Sequence, residues 1–163
     1  MSIRARLKSM SFAQLFKLAT LFIAHPGYVF LTARASKKAM HLATQVYGNT
    51  HHKSNRGNAF RHALWTVLLG QEVYRKSDNL EKAKNWPKQF TNLHEEIFVN
   101  NQLDRAMDLH NNNFGIQKLK ELVTSTETET LEFLKTEAEK AIQITQAEET
   151  KQHPLNLVYI LAL

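Results

Sequence analysis

The chain has 163 residues and no cysteine, which suits one compact domain and excludes both a disulfide framework and a thiolate metal site; any metal would have to be held by His, Asp, Glu or Asn. Five glycines and three prolines leave little punctuation for a many-stranded sheet, so the expected fold is all-α, a single-domain helical bundle of about six to eight helices. The net charge of +6 hides an asymmetry: residues 1–71 carry ten Lys or Arg and no Asp or Glu, a net +10, whereas residues 72–163 carry eleven against fifteen, a net −4.

A purely basic first segment predicts anionic lipid, nucleic acid or an acidic protein as a partner of residues 1–71, or docking onto the protein's own acidic half. The single domain is expected to span 1–163, with a basic N-terminal helical part over about 1–48 and a motif-bearing core over about 49–125. No run of about 18 uncharged apolar residues exists, since Lys17 and His25-Pro26-Gly27 interrupt the best stretch. Arg4, Arg6 and Lys8 ahead of that stretch, with Ala33-Arg34-Ala35 after it, have the outline of a secretory leader. Its apolar run breaks at Pro26, so the cytoplasm is the expected compartment, with secretion or delivery as an effector the other setting.

Ser11 with Gln14 reads as a capping box, and Phe12, Leu15, Phe16, Leu18, Ala19, Phe22 and Ile23 recur at helical spacing until Pro26. A second helix is expected from about Thr32 to Tyr47, stopped by Gly48, followed by a polar loop over Asn49–Gly57 that contains His51-His52. Asn58 then reads as the N-cap of a helix running to about Tyr74, on which Asn58, His62 and Thr66 form one stripe with Arg61 and Trp65 beside it. Leu80 to Trp86 predicts a short helix broken by Pro87, and Thr91, His94 and Glu95 share a stripe on the next.

Leu103, Ala106, Met107, His110 and Phe114 predict a helix ending at Gly115, with Asp104, Asp108 and Asn111 or Asn112 on another stripe. A carboxylate followed by Asn at i+3 and i+4 suits a hard cation or the orientation of a neighbouring imidazole. Three consecutive Asn residues also fit the end of a helix. Thr124–Thr130 predicts a turn and an N-cap, and Leu131 to about Ala147 an acidic amphipathic helix. The apolar tail 155–163 is too short to span a bilayer and should pack on the domain or contact a partner.

The motif Asn58-Ala59-Phe60-Arg61-His62-Ala63-Leu64-Trp65, then His94-Glu95, then Met107-Asp108-Leu109-His110-Asn111-Asn112 with Gly115 resembles an uncharacterised family of bacterial helical domains. Its members occur as small proteins in Bacteroidetes and as C-terminal modules of secreted, toxin-like proteins. The resemblance covers roughly residues 45–115 and implies a shared site at Asn58, Arg61, His62, His94, Glu95, Asp108, His110, Asn111 and Asn112, with no transferable activity. The family often continues its glycine with a basic residue, where this chain has Ile116.

Three convergent polar stripes in a bundle predict a centre for a divalent metal ion of unspecified identity, with His62, His94 and Asp108 as ligands. Glu95 would be general base or ligand, Arg61 would pair with a phosphate, and His110 completes the candidate catalytic set or serves packing. Asn58, Asn111 and Asn112 would orient these groups or contact substrate. The expected activity is metal-dependent hydrolysis of a phosphodiester. The alternative is a non-catalytic interaction module whose polar cluster is a structural hydrogen-bonded network.

Overall fold

The computed structural model describes residues 11–97 and 101–161. Among them six α-helices form the body of an all-α bundle: α1 Phe12–Ala24, α2 Pro26–Tyr47, α3 Arg56–Ser77, α4 Leu80–Ile97, α5 Gln102–Leu122 and α6 Glu127–Glu139. Short 3-10 turns occupy Gly48–His52 and Ala147–Gln152, and two two-residue strands, β1 Ile142–Gln143 and β2 Val158–Tyr159, pair in parallel.

The bundle is organised around α3, which touches α2, α4, α5 and α6. Fifteen of its 22 residues are buried, so it is enclosed on all sides rather than presenting one apolar stripe. Its start lies three residues before the expected N-cap: Asn55 caps it, accepting from Asn58 N–H at 3.1 Å. Gly57 follows because a Cβ there would lie 3.0 Å from Tyr47 Cβ and Cγ. Asn58 is thereby moved inside the helix and buried, with its side chain released from capping.

Pro26 both ends α1 and opens α2 as a first-turn proline, so α2 begins six residues before the expected Thr32. Pro87 does not break α4 but lies within it. A proline at that position leaves the carbonyl of Ala83 without its helical donor. Gly70 of α3 makes room for that carbonyl, since a Cβ on Gly70 would approach it to 3.0 Å.

The expected stop at Gly115 is also absent, and α5 runs through it to Leu122. Positive φ among the described residues is confined to Gly48 and Asp78, so Gly115 is not a chain-reversing cap. A Cβ at Gly115 would stand 2.1 Å from Thr66 Oγ1 and 2.5 Å from the Ala63 carbonyl. The glycine therefore marks the closest approach of α5 to α3.

A capping box of Thr126 and Glu129 opens α6, which ends at Glu139 rather than near Ala147. Beyond it the chain pairs with its own tail, through Ile142 N–H to the Leu157 carbonyl at 2.9 Å and Ile144 N–H to the Tyr159 carbonyl at 2.8 Å. Leu157, Val158 and Tyr159 are buried in the domain. The basic first part docks on the acidic second through Lys17–Glu96, Arg34–Glu72 and Lys38–Glu127 ion pairs.

The α3–α5 crossing generates a stability prediction. Gly115→Ala should destabilise the fold by about 2–4 kcal/mol, because backbone atoms of Ala63 cannot yield. Gly27→Ala, whose Cβ meets only the flexible end of Lys76, should shift stability by less than about 1 kcal/mol. Urea unfolding of both variants checks this, and equal stabilities would refute the close-contact role.

Candidate functional site

The crossing of α3 and α5, closed on the third side by α4, brings the polar stripes together. His62 comes from α3, Glu95 from α4 and Asp108 from α5. All three are buried, and one ligand-type atom from each lies within 4.8 Å of the others. His62 Nε2 is 3.3 Å from Asp108 Oδ1, and His62 Nδ1 is 3.9 Å from Glu95 Oε1. Donors bound to one ion at about 2.1 Å stand at most about 4.2 Å apart, so this group, with atoms up to 4.8 Å apart and only one ring nitrogen of His62 able to face an ion, would have to contract to share one.

Asn112 decides which imidazole nitrogen is available. Its Oδ1 lies 3.1 Å from His62 Nδ1, while its Nδ2 donates to Glu95 Oε1 at 3.4 Å. The carboxylate fixes the amide's orientation, and the amide oxygen then selects the tautomer with hydrogen on Nδ1. Nε2 is left with its lone pair, on the side where Asp108 and Arg61 both lie. A carbonyl-type acceptor on the remote nitrogen is the usual support of a metal-bound histidine.

A guanidinium stands at the same nitrogen: Arg61 Nη2 is 2.8 Å from His62 Nε2. The Asn58 amide satisfies both its neighbours when its nitrogen donates to Asp108 Oδ1 at 3.1 Å and its oxygen accepts from Arg61 at 3.1 Å. Asn58, expected as a cap, is thus a bridge between the site's cation and its carboxylate.

Burial controls the site's protonation. It holds His62 well below the usual imidazole range, with Arg61 and His94 acting in the same direction and the Asn112 contact opposing them. Burial also pushes Glu95 up to about 7, against the opposing pull of Asn112, Arg61 and Arg105. At neutral pH the imidazole is therefore uncharged, as metal ligation requires, and Glu95 is close to half-protonated.

Other candidates lie elsewhere. His94 is outside the three-residue ligand group; it is half-buried, with its ring edge-on to Trp65 at a centroid distance of 5.0 Å. His110 projects from another side of α5, its Nε2 2.8 Å from the Asn156 carbonyl, and burial lowers its proton affinity. Asn111 uses both ends of its amide on β2: Nδ2 donates to the Val158 carbonyl and Oδ1 accepts from Val158 N–H, each at 2.9 Å. Both residues hold the C-terminal segment. His51, expected in a polar loop, is fully buried, with Nε2 3.0 Å from Thr44 Oγ1. Its burial had no local signal, because it depends on the packing of the turn against α2 and α3.

A family model for a domain of unknown function, DUF6973, matches residues 19–149. The chain belongs to this family. The match extends well beyond the motif-bearing stretch on both sides and takes in all the helices that build the site. Comparison with curated proteins and with solved structures found no match.

The lifted Glu95 carboxyl carries a pH signature for the metal-free DUF6973 protein. A group whose folded-state pKa is raised contributes stability that is complete below its unfolded value, near 4.5, and lost as pH rises through about 7. Glu95→Gln keeps a neutral side chain throughout, so its stability relative to wild type should rise by about 2–3 kcal/mol between pH 5 and pH 8. His62, depressed in the fold, contributes stability that is lost as pH falls below about 6.5 in both proteins, and it largely cancels in the comparison. Melting curves with chelator present check this. A pH-independent difference would show that Glu95 titrates as an ordinary surface carboxyl.

Proposed function

We propose that this DUF6973 protein binds a divalent metal ion through His62 Nε2, Glu95 and Asp108, and that it is a metal-dependent hydrolase of phosphodiesters. The observation that carries the reading is the burial of three ligand-type side chains from three helices with their donor atoms within 4.8 Å. The mixed nitrogen and oxygen set suits Zn or Mn, and a bound ion of this kind lowers the pKa of its water toward about 7.

The chain's own groups have separable tasks in this reading. Asn112 holds the His62 tautomer, and Asn58 orients Asp108. Arg61, at His62 Nε2 in this structure, would have to be displaced by an ion and would then be placed to pair with a substrate phosphate, with Arg105 within electrostatic reach of Glu95. With Glu95 engaged as a ligand, His94 at the edge of the group takes the role of proton acceptor. The setting is the cytoplasm, or a target cell if the domain is delivered in the toxin-like manner its motifs suggest.

One contact favours the second reading. Arg61 already supplies a cation to His62 and, through Asn58, to Asp108. A closed network of this kind fits a non-catalytic helical module in which these residues fix helix register.

Metal analysis of the purified protein, with melting curves in Zn, Mn, Mg and Ca, separates the two. The hydrolase reading expects about one ion per chain and a melting temperature that rises with the cognate metal. His62→Ala and Asp108→Ala should abolish both, and Asn112→Ala should weaken metal affinity by about 10–100-fold. Arg61→Ala should keep the metal but lose cleavage of bis(p-nitrophenyl) phosphate. No stoichiometric metal and no thermal response to any of the four ions would leave the network reading in its place.

A further inference from the structure

Helix α1 has two apolar sides, and the bundle uses one. Leu21 and Phe22 pack against the core, Phe22 stacks on Phe90 with ring centroids 5.8 Å apart, and Gln14 donates to the Ile97 carbonyl at 3.1 Å. The single charge on the helix, Lys17, is turned to Glu96. On the other side Phe12 is 85 % exposed, Phe16 65 % and Ile23 79 %. At about 100° per residue these three fall within about 40° of one another on the helix circumference. Leu15 borders them, and Val29 and Phe30 of α2 are exposed just past the corner. Large apolar side chains aligned in water along a helix already anchored from behind mark an interaction face.

Charge identifies the occupant. The first 71 residues have ten basic and no acidic side chains. Lys17, Arg34 and Lys38 are matched by acids of the second half, and Arg61 belongs to the buried site. Of the other six, Arg56 lies over the Tyr159 ring at 4.6 Å from its centroid, and Arg4, Arg6 and Lys8 come directly ahead of α1 in the sequence. A second copy seated on this face would bring one acid-free segment against another. An anionic bilayer offers the opposite charge together with an apolar interior.

The geometry suits lying on a membrane rather than crossing it. The 13 residues of α1 extend about 20 Å, short of the roughly 30 Å hydrocarbon thickness. No single described helix is long and apolar enough to span; α1 and the chain from Pro26 to His52 reach that length and composition only as a pair, and the pair is bent by 112°. The bend lets α1 rest in the interface while α2 leads back into the bundle. We infer that Phe12, Phe16 and Ile23 insert into the surface of an anionic membrane, placing this domain at the lipid–water boundary. The inference is independent of the metal-centre reading.

Co-sedimentation of the full chain with phosphatidylcholine vesicles, with and without phosphatidylserine, tests it. Wild type should bind the phosphatidylserine vesicles and release as salt is raised, and Phe16→Glu should bind at least about tenfold more weakly. Phe16 is largely exposed, so the variant should melt as wild type does, and Phe12→Ala/Ile23→Ala gives a second test without added charge. Absence of wild-type binding, equal binding to neutral and anionic vesicles, or equal binding by wild type and both variants would overturn the proposal. A wild-type dimer in light scattering that Phe16→Glu dissociates, without vesicle binding, would assign the face to a second copy.

Discussion

The structure depends on the close crossing of α3 and α5. Backbone meets backbone there because Gly115 has no side chain and its opposite numbers, Ala63 and Thr66, are small. The contact sits one residue from His62 on α3 and three from Asn112 on α5, so it sets the distance across which imidazole, amide and carboxylate meet. A helix pair held at ordinary spacing would leave those short side chains unable to touch. Gly70 extends the same tight packing one level along, beside Leu119 and Ala83. Gly115, expected to end a helix, therefore serves with Gly70 the approach of helices.

Much of the helical outline was legible because it is written locally. The Ser11–Gln14 capping box and the stop at Gly48 lie where side-chain chemistry alone places them. The features that were not legible depend on non-local partners. Pro87 survives inside α4 because the carbonyl it frees has a space prepared by Gly70 on another helix. Asn55 rather than Asn58 caps α3, and Gly57 leaves room for Tyr47 beside that first turn. The end of α6 is decided by a strand partner in the tail, 16 residues away along the chain from Ile142 to Val158.

The site follows the same division. Helical periodicity was enough to gather Asn58 with His62, and Asp108 with Asn112, onto shared stripes. It could not choose between His94 and Glu95, which are about 100° apart on one helix. Rotation of α4 decides that, burying Glu95 together with Thr91 one turn earlier on the same stripe. The same limit applies to the run from Asp108 to Asn112, which divides between two surfaces. Asp108 and Asn112 face the imidazole, whereas His110 and Asn111 bond the backbone of the C-terminal segment. That segment returns to Ser54 near the start of α3, where the Ser54 carbonyl accepts from Ile160 and Leu161 N–H at 2.8 Å. The tail is therefore a strap that ties α5 to the beginning of the helix carrying His62.

A buried set of this composition is hard to explain by stability. Packed apolar side chains of similar volume would join three helices at least as well, since desolvating charged groups offsets much of their mutual attraction. Here the desolvation is visible in the groups themselves, because Glu95 is held toward its protonated form and His62 away from its own. Both are thereby kept in states that resist their ordinary ionisation at neutral pH. An arriving divalent cation would reverse that balance for Glu95, displacing its proton, and would find the His62 imidazole already neutral, with Arg61 at its Nε2 and Asp108 beside it. The arrangement costs the apo-fold stability, and it leaves Arg61 as the group that a cation at Nε2 would have to displace. A register-fixing network does not require the imidazole to be neutral, whereas the proposed metal centre would.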